Sequence, residues 1–343
     1  MPLRRTGVTA VHSVERIVFT VPDIEPAQKF YTAFGLDVKS LDSTFGPRVE
    51  IYTHGHSHCW MSVVANGQPK ALQYISFGIF AEDEAAFKQK IEASGLGCAP
   101  HPMAESLAKA GGEAGGGSAP TTGGLWLRSP DGIVLHLVVA DKVSPSQKTP
   151  KSAPRRLPRK DASAPMRSQS SQVRPRWLSH VLVFSQDVSR MIEFGQDVLG
   201  LRLSDRSGGL VAFMHTPHGS DHHLLAFVQS NAAGLHHTSW DVGSLDEVGE
   251  GSEQLRAAGY PDGWGVGRHV LGSNYFYYAR DPWGSFAEYS FDIDFVPATT
   301  DWIAGDFPPE DSFYLWGPAV PEWFVANTEA PLVDVAAAAA AGQ

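Results

Sequence analysis

The order of predicted elements repeats once along this chain, and that repeat limits the fold more than any single motif does. RIVFTV (residues 16–21) reads as a strand, and the PDIEPAQKFYTAFGL that follows reads as a turn and a helix stopped by Gly35. HVLVFS and QDVSRMIEFGQDVLGL repeat the pattern from His180 to Leu201, with Gly200 as the stop. β-rich runs follow in each half: VEIYTHG, HCWMSVVA and ALQYISFGIF in the first, LVAFMHTP, HHLLAFVQ and LHHTSWDV in the second. Each half then has a helix (AEDEAAFKQKIEASG, SLDEVGEGSEQLRAAG) and a hairpin, SPDGIVLHLV matching DPWGSFAEYSF. Such a duplication predicts an α+β protein of tandem βαβββ repeats, with curled mixed sheets in two similar domains. The number of repeat units in each half is open at this point.

At 343 residues the chain is long enough for two ordinary domains. We expect a first domain over residues 1–141, a linker over 142–176, a second domain over 177–300 and an aromatic tail over 301–343. The linker stretch is rich in Pro, Ser, Lys and Arg and offers little to bury, so it reads as solvated chain rather than a nucleic-acid arm. AKAGGEAGGGSAPTTGG, from residue 108, reads as a mobile surface loop. The tail's Trp, Phe and Pro residues are expected to pack back on the second domain, ahead of a frayed polyalanine end.

A net charge of -10 argues against a general nucleic-acid binder, which needs a basic face. The two cysteines, Cys59 and Cys98, make neither a disulfide framework nor a zinc motif, so a reducing cytoplasm is expected. The apolar run near the N-terminus is short and broken by Glu15 and Arg16, unlike a secretory signal. No stretch approaches the roughly 18 apolar residues of a membrane span.

The chemistry gathers in residues 180–288. His180 begins a strand, His237 lies within one, and Glu288 follows the DPWG turn on another. Adjacent strands of a curled sheet could bring the three together as a two-histidine, one-carboxylate metal face, which leaves coordination positions open for substrate and O2. A lone strand histidine is more often a packed, hydrogen-bonded core residue, but the repeat adds weight to this trio. Aligning the halves puts Arg16, Tyr74 and His136 at the matching places, a set that cannot repeat the trio. Of the adjacent pairs, His223 and His237 are preferred over His222 and His236 because neighbours on a strand face opposite sides.

The chain resembles the type I extradiol dioxygenases of the vicinal oxygen chelate superfamily, which cleave catechol rings beside the two hydroxyls. LHHTSWDV, GRHVLGSNYFYY and DPWGSFAEYSF carry the likeness, which spans nearly the whole repeat without the linker and tail. The resemblance implies His180, His237 and Glu288 as metal ligands and His223 as the acid/base histidine. It implies His269 and Tyr278 as pocket residues that hydrogen-bond substrate. The metal implied is Fe(II), with Mn(II) the other metal to consider; the partners implied are a catecholic or trihydroxylated aromatic and O2, and a homo-oligomer is expected. Other enzymes of this architecture, glyoxalase-like or 4-hydroxyphenylpyruvate-type, and non-catalytic aromatic or antibiotic binders are the competing readings. Glyoxalase-like sites draw ligands from both halves or across a dimer, and the first half offers no matching set. The 4-hydroxyphenylpyruvate type lacks the GRH and His223 constellation, and in a binder the ligand trio with His223 and Tyr278 would be surplus.

Three further features have blander readings. THGHSHC (residues 53–59) reads as a solvent-facing strand edge or an adventitious metal site. His215 and His218 either line a pocket mouth or face water. Trp240, Trp283 and Phe286 are expected in the core or in subunit contacts.

Overall fold

The computed structural model describes residues 4–111, 123–152 and 164–331. Most of the glycine-rich loop, the middle of the linker and the polyalanine end lie outside the described residues. The first half runs β1 (Ser13–Val21), α1 (Ile24–Phe34), β2 (Asp37–Leu41), β3 (Arg48–Tyr52), β4 (Cys59–Ala65), β5 (Ala71–Ile79), α2 (Glu84–Ser94), α3 (Pro102–Gly111), β6 (Leu125–Arg128) and β7 (Val134–Val139). The second begins with β8 (Leu178–Ser185), α4 (Val188–Asp197), β9 (Arg202–Ser207), β10 (Val211–His215), β11 (Ser220–Asp221) and β12 (Leu225–Gln229). It continues through β13 (Gly234–Asp241), α5 (Leu245–Ala257), β14 (Gly263–His269), β15 (Tyr275–Arg280), β16 (Phe286–Phe291) and β17 (Phe295–Val296). The tail supplies β18 (Gly305–Asp306), α6 (Pro309–Ser312) and β19 (Tyr314–Trp316).

Each half is two consecutive β-α-led units, led by β1 and β5 in the first half and by β8 and β13 in the second, which settles the count. Their strands merge into one sheet of order β2-β3-β4-β1-β5-β7-β6 and a second of order β18-β9-β10-β12-β8-β13-β16-β15-β14-β19. Both sheets are mixed: β1 runs parallel to β4 and antiparallel to β5, as β8 does to β12 and β13. The two halves share their register. Ser76 lies between Arg16 and His136 on the neighbouring strands, and Ser239 lies between His180 and Glu288. Tyr74 and His237 each stand two residues earlier on their strands, so the sequence alignment of Arg16, Tyr74 and His136 with the trio holds residue for residue.

Local chemistry accounts for the helix ends. The Asp23 side chain accepts from Glu25 N at the start of α1, Asp187 from Arg190 N at α4, and Ser244 from Glu247 N at α5. Ala27, Phe30, Tyr31 and Phe34 form the buried stripe of α1. Gly35 closes that helix with φ 97°, and a Cβ there would stand 2.0 Å from Val173 O, so no other residue fits.

Those same aromatics join the halves. Phe34 stacks on Tyr289 of β16 at 4.0 Å between centroids, and the Tyr289 hydroxyl donates to Phe34 O at 2.7 Å. Phe30 meets Tyr260 edge-on at 5.2 Å. One apolar cluster runs through both halves, from Ile17, Phe19 and Phe77 to Trp240, Leu255 and Tyr289.

Three expectations change. α3 begins at Pro102, where the sequence suggested no element, and it takes in residues 108–111 of the stretch read as mobile loop; proline fits a helix start because its missing N–H has no partner there. The basic stretch is solvated over most of residues 147–152 and 164–172, as expected, but it is tethered at points: Val173 is buried, Arg176 pairs with Asp241, and Lys148 and Lys151 pair with Asp292. Thr53–His58 form the turn between β3 and β4 rather than a strand edge, and its histidines part company, His54 facing Asp37 and His58 facing Glu15 O.

Candidate metal centre and its cavity

His180 on β8, His237 on β13 and Glu288 on β16 come from three adjacent strands, and their ligand atoms lie within 4.8 Å of one another. His180 Nε2 stands 3.3 Å and His237 Nε2 3.7 Å from Glu288 Oε2. All three are buried, and no hydrogen bond satisfies His237 Nε2 or Glu288 Oε2. Buried polar atoms left facing each other in this way are costly unless something sits between them. Two imidazoles and a carboxylate with such orphaned atoms fit a divalent cation.

The remaining predicted residues stand around this trio. The His223 ring lies 3.9 Å from that of His180, centroid to centroid. His269 ends β14, with its Nε2 2.9 Å from the Tyr278 hydroxyl and 4.0 Å from Glu288 Oε1. Its Nδ1 faces the Phe313 carbonyl at 2.9 Å, which only accepts. In the neutral ring Nε2 is therefore bare and the Tyr278 O–H donates to it. All six residues line one cavity of about 260 Å³, which Leu182, Leu210 and Val211 and, from the tail, Phe313, Phe324 and Val325 also line. Among the described residues no lysine or arginine lines it. A wider groove of about 1210 Å³ between α1 and α5 contains no histidine and no comparable cluster among the described residues.

Burial sets the charge states. It holds His223 and His237 well below the usual histidine range, with neighbouring histidines adding to the effect. At Glu288 burial opposes ionisation, yet contact with His180, together with His269 and Ser239, holds the group below the usual carboxylate range. Burial pushes the Tyr278 phenol well up, reinforced by Glu288.

A family model described as the Glyoxalase/Bleomycin resistance protein/Dioxygenase superfamily matches residues 177–289, the stretch that contains the trio. The chain is 47% identical over 321 residues to Metapyrocatechase 2 of Cupriavidus necator, covering 94% of this chain and 93% of that one. The chain belongs to the extradiol ring-cleaving dioxygenases of the vicinal oxygen chelate superfamily. The fold agrees with those of solved structures. The Mn(II)-bound glyoxalase from Novosphingobium aromaticivorans superposes with a TM-score of 0.70 at 23% identity, over 93% of this chain and 95% of the other. Homoprotocatechuate 2,3-dioxygenase from Arthrobacter globiformis gives 0.68 at 16%, over 94% of each.

Several residues of the dioxygenase's site escaped the sequence reading. Asn274 donates to Glu288 Oε1 and to Ser290 Oγ, both at 3.0 Å, and so fixes the carboxylate's orientation. Behind His180, Ser179 Oγ lies 3.2 Å from its Nδ1 and donates to Asp221 Oδ2 at 2.6 Å. His222 sets its Nδ1 3.1 Å from that of His223 and its Nε2 2.8 Å from Asp205. His236 does the same for His237, at 2.7 Å. Asn274 sits within the GRHVLGSNYFYY motif and was open to notice there.

Two expectations about histidines are corrected. His222 and His223 precede β12 rather than belonging to it, so strand alternation does not orient them. His215 and His218 neither line the cavity nor face water: both are buried, with His215 bonded to Ser204 Oγ at 2.8 Å.

Burial of so many imidazoles makes the metal-free dioxygenase acid-labile. It lowers His12 to about 3, and His58, His215, His218 and His236 to about 4, from the ordinary 6.5. A depressed folded value means that only the unfolded chain takes up these protons between about pH 6.5 and 4, so stability is lost as pH falls through that window. Glu15 and Asp241, both raised to about 8 by burial, and Asp221, also raised, act in the opposite sense, but the five histidines, joined by His101 and His136 with the same downward shift, outnumber them. The urea midpoint of the metal-free protein should therefore drop between pH 6.5 and 4; a flat or rising midpoint would contradict these assignments.

Among the described residues no helix is long and apolar enough to cross a membrane.

Proposed function

We propose that this chain is an Fe(II)-dependent extradiol dioxygenase that opens a neutral catechol beside its vicinal hydroxyls. The observation that carries the reading is the buried trio His180, His237 and Glu288, its Nε2 and Oε2 atoms unsatisfied, at the end of an apolar cavity that also holds His223 and the His269–Tyr278 pair. Residues 177–300 would then be the catalytic half and 1–141 a metal-free support. The two imidazoles and the carboxylate would hold the ion, and Mn(II) suits the same donors. A bound ferrous ion would gather both substrate oxygens and O2 and let electron density pass from ring to dioxygen.

The protein's own groups move the protons. Neutral His223 can take a proton from a substrate hydroxyl and return it as the oxygen–oxygen bond breaks. Tyr278, its phenol kept protonated, and His269 hold a substrate oxygen in place. The apolar walls exclude water, so the ring meets dioxygen before solvent. The two free cysteines support a cytoplasmic setting. The partly exposed Leu315 and Trp316 on β19, at the edge of the larger sheet, support a homo-oligomer.

The cavity also limits the substrate. At about 260 Å³ it is smaller than the roughly 300–1,000 Å³ of drug-sized sites, which suits one ring with a short substituent. With no lysine or arginine among the described residues of the lining, a substrate carboxylate would be desolvated without a partner there. Protein loaded with Fe(II) under anaerobic conditions should consume O2 and form a yellow ring-opened product with catechol and short alkylcatechols. Carboxylated catechols should show kcat/KM at least about tenfold lower, roughly 1.4 kcal/mol. No uptake with any catechol would sink the function, whereas a preference for the carboxylated compounds would sink only the substrate assignment.

A further inference from the structure

The outer wall of the cavity is the C-terminal tail, and its backbone reaches the metal centre through one side chain. His236 lies at a register shift on β13, where the pairing steps from Leu235–Val183 to His237–Leu182 and leaves His236 as the extra residue. The shift breaks the strand's alternation, so His236 and His237 both line the cavity. His236 Nε2 stands 2.9 Å from the carbonyl oxygen of Phe324, and its Nδ1 stands 2.7 Å from Nδ1 of His237.

These contacts decide where the protons sit. A carbonyl oxygen only accepts, so His236 Nε2 carries the hydrogen. A neutral imidazole has one N–H, which leaves His236 Nδ1 able only to accept. Two ring nitrogens at 2.7 Å need a proton between them, and His237 Nδ1 must supply it. His237 Nε2 then presents its lone pair to the cavity, 3.7 Å from Glu288 Oε2, in the form a metal donor needs. Phe184, Phe286 and Phe324 surround the His236 ring at 5.0, 5.2 and 4.9 Å and offer no side-chain alternative to these bonds.

We propose that His236 is a positioning residue: it carries the accepting character of the Phe324 carbonyl to His237 and so holds His237 Nε2 bare for the metal. The tail is thereby part of the metal centre, although it contributes no ligand. This inference rests on His237 being a ligand, and the test separates the two ideas.

Long-range proton–nitrogen spectra of metal-free protein carrying 15N-histidine report which nitrogen of each ring is protonated, and the EPR signal of free Mn(II) gives the binding constant. In the wild type His237 should carry its proton on Nδ1. His236→Leu should lose that preference and bind Mn(II) about 10–100-fold more weakly. His236→Gln, whose amide can accept from His237 and donate to Phe324 O, should recover most of the affinity. A proton on His237 Nε2 in the wild type would overturn the proposal. So would a His236→Leu protein that binds Mn(II) as tightly as the wild type; should that variant not fold, the wild-type spectrum and His236→Gln decide alone. Undiminished Mn(II) binding by His237→Ala would instead remove the ligand reading, and the inference with it.

Discussion

Glu288→Gln should purify folded, hold little metal, and turn over catechol more than about 10³-fold more slowly in kcat/KM. The substitution keeps the side chain's volume at a fully buried position, and its amide oxygen can still accept from Asn274. What it removes is the negative charge opposite His180 Nε2 and His237 Nε2. Neutral imidazoles then remain as the candidate donors, and an amide is a poor substitute for a carboxylate at a divalent cation. Metal content by elemental analysis, beside a circular dichroism spectrum, checks the point. A Glu288→Gln protein with one equivalent of metal and ordinary activity would place the centre elsewhere.

His223→Phe should give the opposite combination, with metal retained and kcat reduced about 10²–10⁴-fold, the range expected when a positioned acid/base group is lost. The ring contacts to His180 and to Phe213, at 3.9 and 4.8 Å, can be kept by phenylalanine, so the cavity should hold its shape. The lost nitrogen is the one able to exchange a proton with a substrate hydroxyl. Product analysis adds a second readout, because O2 uptake without ring-opened product would mean that oxygen is activated but not used. If metal and activity fell together, His223 would be a ligand rather than a proton carrier.

Much of this was written in side-chain letters. Alternating strands, capped helices and a duplicated element order gave the mixed sheets, and the alignment of Arg16, Tyr74 and His136 with the trio matches the observed register. His180, His237 and Glu288 could be picked out as candidate ligands because a ligand must be a particular residue type, and the fold brings the three together. What escaped notice has a common physical origin. The extra residue at His236 breaks the two-residue period on which face assignment rests, and no propensity marks where such a shift falls. The Phe313 and Phe324 groups that fix the site histidines are main-chain carbonyls, which every residue possesses, so sequence cannot single them out. α3 was missed because the glycine run after it dominated the composition of that region.

Glu288 and Tyr289 are consecutive on β16, and a strand turns consecutive residues to opposite faces. The carboxylate looks into the cavity while the phenol ring lies flat against Phe34 across the seam between the halves. One peptide unit thus ties the acidic ligand candidate to the grip of the other half. A slip of that strand by a single position would undo the arrangement, in one direction putting a phenol beside His180 and in the other driving a charge into an aromatic stack. The first half thereby acts as a gauge for its twin: it allows one setting of β16, and that setting presents oxygen to the cavity.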